Sequence, residues 1–321
     1  MTDTPLNTIS EKLDWLAQRY WKFGQDDLFL DYLEDLYEVD DEGHMTSTPR
    51  RDPLADETRG LMFLARSGNG KTATIKKAIR ETPVLEEYTD QGEGNTLYME
   101  VPPDATIKSL AEDIAKITGY SGFHKSVTAP ERWLICRRRL RMTGITTLVI
   151  DECHHILRPG PGRDVPGAIQ ALKHMVQSDH AVALIIAGVP ELREGILKEA
   201  SGETYRRFDE CHLPSIQPGS GEAERFSRCV ATSARKLGIE IDPGLKFSER
   251  VLFAEHGEAG RAVKLVKDSL RRVITKRRSR LELEDAERIF VKSNGPKEMT
   301  PFHPGDWSFV ESELKAMGWV R

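Results

Sequence analysis

Residues 65–72 read Ala-Arg-Ser-Gly-Asn-Gly-Lys-Thr and follow the apolar run Leu61-Met62-Phe63-Leu64. An apolar strand running into G-x-x-x-x-G-K-[ST] sets backbone N–H groups around a triphosphate, with a lysine for the β- and γ-phosphates and a hydroxyl for Mg²⁺. Gly70, Lys71 and Thr72 meet the pattern, Ser67, Gly68 and Asn69 complete the loop, and Ala65 replaces the first glycine. Only glycine enters positive φ freely, so the alanine is expected to tighten the turn. Further along, Leu148-Val149-Ile150-Asp151-Glu152 is a second apolar strand, ending in two carboxylates. Asp151 suits Mg²⁺ or its water ligand, and Glu152 suits a general base that polarises an attacking water. The bland reading, two carboxylates capping the next segment, does not explain why both patterns occur in one chain. ATP and Mg²⁺ are therefore the expected cofactors.

Asp151-Glu152-Cys153-His154 also spells a helicase-type D-E-x-H box. Such helicases need a second nucleotide-binding domain, and only helical sequence follows the last strand. His154 and His155 are adjacent with no evident third ligand, so they read as packed or hydrogen-bonded rather than metal-binding.

Around these motifs, helical and strand periodicities alternate. Residues 7–38 carry apolar side chains at helical spacing. Residues 40–57 are polar, hold Pro49 and Pro53, and read as a linker or ordered loop. Strands are expected at 61–65, 96–101, 147–150, 181–187 and 212–216, with helices at 71–80, 105–118, 130–142 and 166–177 between them. Continuous apolar strands separated by helices predict an α/β fold with a parallel five-stranded sheet covered on both faces. After Pro218 only helices are expected, near 221–237, 245–255, 259–276 and 284–292. The last residues, 296–321, carry Phe302, Trp307, Phe309 and Trp319 in a polar context and read as a tail with a short helix, packed on the core or docking a partner. The chain thus divides into an N-terminal helical region and linker (1–57), a nucleotide-binding α/β domain (58–217), a small helical lid domain (218–295) and a C-terminal tail (296–321).

The net charge of −5 over 321 residues excludes a generally basic nucleic-acid coat, so DNA contact would need a local patch. Arg137, Arg138, Arg139 and Arg141 cluster before the second apolar strand, although consecutive residues point around a helix and cannot all face one groove. A second basic run, from Arg271 to Arg280, has a solvated face as its simpler reading. No helix-turn-helix or zinc pattern suggests base-specific reading; phosphate contacts would give sequence-tolerant, salt-sensitive binding. Four widely spaced cysteines argue against a disulfide framework and fit a reducing cytosol. No apolar run approaches the roughly 18 residues of a membrane span, and the N-terminus lacks a signal-peptide core, so a cytoplasmic protein without a membrane partner is expected.

Taken in order, these segments resemble the TniB/TnsC group of transposition AAA+ ATPases, relatives of the phage MuB protein, over roughly residues 8–310. Trp21 lies in an N-terminal helical region. SGNGKT stands where the family often has NNGKT, and Pro102-Pro103 ends the second strand. IDECHHIL is similar to the family's IDE-x-H-x-x-L, with His154 at the histidine position. AGVPEL (187–192), YRRFDECHLPSI (205–216), GEAGRAVKLVKDSL (257–270) and PFHPGDW complete the series. The resemblance implies an ATP-dependent regulator that assembles as rings or filaments on double-stranded DNA. It would recruit and activate a DDE transposase, and leave the DNA on hydrolysis. It also implies that Arg206 or Arg207, at the end of a helix before the last strand, reaches a neighbouring subunit's γ-phosphate, with Arg207 the better match. Arg261 falls at the sensor II position. Lys108 and Lys125 join Arg137, Arg138 and Arg141 as candidate DNA contacts. The sensor I position, near Val189, lacks the polar side chain the family tends to have, which would slow hydrolysis without preventing binding. Two other readings stand beside this one: a nucleotide-dependent protein switch that does not bind DNA, and a degenerate ATPase acting as a static adaptor.

Overall fold

In this computed structural model, described for residues 6–319 apart from 121, 125, 162, 178, 179 and 181, the chain divides into two units. One comprises Gln25–Ser67 and Lys71–Leu213; the other comprises the N-terminal residues through Gly24, Gly68–Gly70 and Pro214–Arg321. The elements in chain order are α1 (Ile9–Gln18), α2 (Gly24–Glu34), β1 (Tyr37–Val39), β2 (Met45–Pro49), β3 (Arg51–Asp52), β4 (Glu57–Thr58), β5 (Gly60–Leu64), α3 (Lys71–Glu81), β6 (Thr96–Glu100), α4 (Ile107–Ile117), α5 (Ala129–Met142), β7 (Thr147–Asp151), α6 (Val165–Val176), β8 (Ala183–Gly188), α7 (Glu191–Leu197), β9 (Phe208–His212), α8 (Gly221–Leu237), α9 (Phe247–Ala254), α10 (Ala259–Thr275), α11 (Leu283–Asn294) and α12 (Trp307–Ala316).

The first unit is built on a five-stranded parallel sheet in the order β6-β7-β8-β5-β9. Strands β5, β7 and β8 are buried along their whole length. Their period-2 alternation divides their side chains between two layers. Met62, Leu64, Leu148, Ile150, Leu184 and Ile186 join a layer with Leu110, Trp133 and Leu172 of α4, α5 and α6. Leu61, Phe63, Val149, Ala183, Ile185 and Ala187 join a layer with Phe29 and Leu33 of α2 and Ile75 and Ile79 of α3. Phe29 and Phe63 are fully buried, with ring centroids 4.5 Å apart; burying a side chain of this kind contributes about 1.5–3 kcal/mol. The sheet is thus covered on both faces, as the continuous apolar strands predict, and the carboxyl ends of β5, β7 and β8 lie side by side.

Three sequence expectations need correction. The last strand is β9 at Phe208–His212, not 212–216. Among the described residues it is an edge strand paired only with β5, and just two of its residues are buried, Phe208 in one layer and Cys211 in the other, so it carries no apolar run. The polar segment before the core, expected as a linker or ordered loop, is ordered as strands: β1 pairs with β2 and β3 with β4 as two short antiparallel hairpins. The arginines before the last strand end a short 3₁₀ helix, Tyr205–Arg207, that runs directly into β9, rather than an α-helix. Helix α7 had no counterpart in the sequence reading. The expected strand start at residue 181 lies outside the described residues.

The second unit is helical. Helix α8 starts at Ser220, whose hydroxyl accepts from the Ala223 N–H at 3.2 Å, and stops at Gly238 in the left-handed region (φ 70°). Its Phe226 takes Trp21 edge-on at 5.7 Å and Phe23 at 6.4 Å. Leu16 of α1 is buried in the same cluster. Helix α10 buries Ala262, Leu265, Val266, Ser269, Leu270 and Val273, a stripe at helical spacing. In the tail, Trp307, Val310 and Leu314 of α12 bury against Phe253, while Phe309 stays exposed. The tail's apolar residues therefore divide, most packing on the unit while Phe309 and Met317 stay exposed. Arg250, 1% exposed, pins the segment before α12: it donates to the carbonyls of Leu245, Pro301, His303 and Gly305, and its guanidinium lies 4.9 Å from the Trp307 ring centre.

Candidate nucleotide site

Ala65 continues β5 rather than starting a strained turn. Its N–H donates to Gly188 O at 3.2 Å, it is buried, and it is not among the residues at positive φ. The left-handed positions of the loop are Gly68 (φ 81°) and Gly70 (φ 95°), both glycine as the geometry requires. The expected tightening at Ala65 is therefore absent: the alanine sits where any residue is accommodated. The Lys71 ammonium, 4% exposed, donates to Ala65 O at 3.1 Å.

Asp151 closes β7 and is fully buried. Its Oδ2 accepts from the Thr72 hydroxyl at 2.6 Å and from the Tyr98 hydroxyl at 2.8 Å; its Oδ1 accepts from the Glu152 N–H at 2.8 Å. The two motifs found in the sequence thus meet at a hydrogen bond, Thr72 to Asp151. Tyr98 was missed. It lies on β6, the strand beside β7, with Glu100 opposite Asp151 in the register, so alternation puts Tyr98 on the same face as Asp151. That signal emerges only once the strand order is known. Burial raises the Tyr98 phenol, and the neighbouring Asp151 raises it further, so the hydroxyl stays protonated and donating.

Glu152 takes the left-handed conformation (φ 54°, ψ 29°) at the start of the 3₁₀ turn Cys153–Leu157. Burial raises its carboxyl above the ordinary range, opposed by the charge of Lys71. His154 is 4% exposed, and its Nδ1 lies 3.2 Å from Glu152 Oε2 without hydrogen-bond geometry. Burial, with the His155, Arg158 and Lys71 charges adding to it, lowers His154 to about 4, so the ring is neutral near pH 7. One ligand atom from each of Glu152, His154 and His155 lies within 4.8 Å of the others, so Glu152 is close enough to serve as a third ligand beside the two histidines.

The remaining loop residues group with the helical unit. A Cβ at Gly260, the second residue of α10, would lie 2.4 Å from Gly68 O and 2.7 Å from Gly70 N, so glycine alone fits there. The Arg261 stem lies along Gly68, and its Nε donates to Glu255 Oε2 at 2.7 Å. Asn69 is 1% exposed, and its Oδ1 lacks a hydrogen-bond partner among the described residues. Ser67 is exposed. Within the first unit, the Lys71 ammonium, the Thr72 hydroxyl and the Asp151 carboxylate are groups that suit a Mg²⁺-bound triphosphate.

The two candidate finger arginines differ. Arg207 is held inside its own unit: its Nε donates to Glu57 Oε2 at 3.0 Å and its Nη1 to Glu203 O at 2.5 Å. Arg206 is exposed. Of the candidate DNA contacts, Arg137, Arg138 and Arg141 line one groove of about 490 Å³ with His174, Gln177 and His180, while Arg139 turns away to the Thr118 carbonyl. Lys108 is exposed in the first turn of α4, and Lys125 lies outside the described residues. In the second basic run, Arg272 and Arg278 bond Asp285, and Arg280 pairs with Asp242 and Glu282. No helix among the described residues is long and apolar enough to cross a membrane.

Solved structures share the fold at low identity. The Aeropyrum pernix ORC1 protein in complex with DNA is 15% identical, with a TM-score of 0.56, 95% of this chain and 87% of that one covered. Cdc6p from Pyrobaculum aerophilum is 14% identical, with a TM-score of 0.57 over 87% of this chain and 70% of that one. The Walker-type ATPase PABY2304 of Pyrococcus abyssi is 11% identical, with a TM-score of 0.51 over 93% and 76%. Among curated proteins there is no significant sequence match. The model of the bacterial TniB protein family matches residues 12–218, more than half of the chain. The chain therefore belongs to the bacterial TniB family, as an ATPase of the AAA+ P-loop fold.

Proposed function

We propose that this protein binds and hydrolyses ATP with Mg²⁺, self-associates on double-stranded DNA in its ATP-bound state, and there recruits and activates a DDE transposase. Family membership supports the transposition setting, and the structural relative in complex with DNA supports the nucleic-acid partner. The observation that carries the reading is the Thr72–Asp151 hydrogen bond with Glu152 as the next residue, which joins phosphate loop, metal-holding carboxylate and base in one place.

In this reading the N–H groups of residues 67–72 and the Lys71 ammonium hold the phosphates, and Thr72 and Asp151 hold the ion. Bound there, Mg²⁺ neutralises charge on the phosphates. Glu152, with its carboxyl raised by burial, accepts a proton from the attacking water. Arg261 faces the loop from α10 as sensor II. Arg206 is the arginine offered to a neighbouring subunit, since Arg207 is tied to Glu57. The Arg137, Arg138 and Arg141 groove, with Lys108, supplies phosphate contacts that are sequence-tolerant and weaken with salt.

Electron microscopy of the full chain with DNA and a slowly hydrolysed ATP analogue tests the proposal. Rings or filaments are expected only when both are present. Glu152→Gln should trap them and Lys71→Ala should prevent them. A protein that stays monomeric under those conditions overturns it.

A further inference from the structure

The end of β8, beside the phosphate loop, is where the chain lacks a polar side chain: Gly188 is followed by Val189 and Pro190. The structure shows what occupies that place. A Cβ built on Gly188 would lie 3.2 Å from His154 Nδ1 and 3.1 Å from Leu192 Cδ2. The imidazole thus covers the end of β8, and the residue there is too small to compete with it. Gly188 is also the residue whose carbonyl accepts from Ala65, so this ring stands beside the first residue of the loop. Among the described residues the ring's Nδ1 has no hydrogen-bond partner of good geometry, although it is buried and lies 3.2 Å from Glu152 Oε2. A buried polar nitrogen without a partner is costly, and a small rotation of either side chain would supply one. Glu152 itself is in the left-handed conformation, a backbone cost that its surroundings must offset.

We propose that His154 is the positioning residue for Glu152: its Nδ1–H holds the carboxylate from the β8 side and supplies the polar contact that Val189 lacks. The inference rests on Glu152 as the base. His154 touches the base and not the phosphates, so its removal should act on turnover and not on nucleotide affinity.

The test uses the full chain with DNA, Mg²⁺ and ATP, and compares His154→Leu, His154→Asn and His154→Gln. The Asn amide falls where Nδ1 is; the Gln amide falls nearer Nε2. His154→Leu and His154→Gln should lower kcat by up to about 100-fold, the size of effect that misplacing a reacting group produces. His154→Asn should keep most of the activity. Affinity for a fluorescent ATP analogue should change by less than about twofold in all three, with unfolding temperatures confirming that each folds. In a Glu152→Gln background, His154→Leu should lower turnover no further. The proposal is overturned if Asn and Leu lose activity equally, if the Leu loss persists in full without Glu152, or if nucleotide affinity falls with kcat. It is also overturned if a chelator of transition ions, with Mg²⁺ kept in excess, reduces wild-type turnover to the His154→Leu level, since the three ligand atoms would then be a metal site. If Glu152→Gln alone leaves turnover intact, the assignment of the base fails first, and that result is distinct from all of these.

Discussion

Replacing Arg206 and Arg207 separately by alanine separates a structural arginine from one offered to a neighbour. The Arg207 side chain is 17% exposed and its partner Glu57 23%. Removing it deletes the charged contact to Glu57 and the donation to Glu203 O, and leaves Glu57 with the Gln177 amide at 3.2 Å. A fully buried pair broken on one side costs about 3–5 kcal/mol. Partial exposure here screens the charge, and a hydrogen bond to a charged group is worth about 1.5–3 kcal/mol, so Arg207→Ala should cost about 1–3 kcal/mol. For a unit of this size that is a fall of roughly 2–10 °C in unfolding temperature. Arg206 is exposed, and its loss should stay within about 0.5 kcal/mol. Turnover should show the reverse order: Arg206→Ala should abolish the DNA-stimulated rate by about 1000-fold or more, the scale of an arginine finger. Urea unfolding and steady-state hydrolysis, with and without DNA, provide both readings. A double-mutant cycle with Glu57→Gln should return a coupling of about 1 kcal/mol or more. The reasoning is refuted if Arg207→Ala unfolds within about 0.5 kcal/mol of wild type and loses the stimulated rate.

Three further outcomes are expected. Ala65→Gly should bring no gain in nucleotide affinity or turnover and should cost about 0.5–1 kcal/mol in unfolding experiments, because position 65 is not at positive φ and glycine only adds freedom to the unfolded chain. Burial raises the Glu255 carboxyl above its ordinary 4.5, opposed by Arg261, so the folded protein holds that proton more tightly than the unfolded chain does. The stability from this group is full below about 4.5 and is lost as pH rises through the raised value; Glu255→Gln should flatten that part of a stability–pH curve measured by urea unfolding. Arg250→Ala should cost about 3–5 kcal/mol and free the tail to proteolysis, and Arg250→Lys should recover little, because one ammonium cannot serve four carbonyls in different directions.

The catalytic end of the sheet was legible because its signals are local. Lys71-Thr72 and Asp151-Glu152 are short motifs at the ends of apolar runs, and β5, β7 and β8 are buried on both faces, which writes an unbroken apolar string into the chain. Helix α8 was legible at both ends, because Ser220 caps it and Gly238 stops it. The edge strand β9 was placed too late, because only Phe208 and Cys211 are buried, on opposite faces, and no apolar run marks it. The hairpins β1–β2 and β3–β4 were missed because strands of two to five residues pair through backbone atoms, on which side-chain type has little hold. Tyr98 on Asp151 and His154 on the end of β8 depend on strand order and on a turn's shape. Neither follows from any spacing along the chain. Nor does the difference between Arg206 and Arg207, which rests on Glu57, far away in sequence.

The left-handed backbone at Glu152 sets a cost on the residue that stands there. A side chain other than glycine or asparagine in that conformation costs about 1–2 kcal/mol. A chain chosen only for folding would put glycine or asparagine at position 152, and Glu152→Gly should unfold later than the natural protein while hydrolysing nothing. In the proposed mechanism position 152 is therefore one where durability and turnover pull in opposite directions.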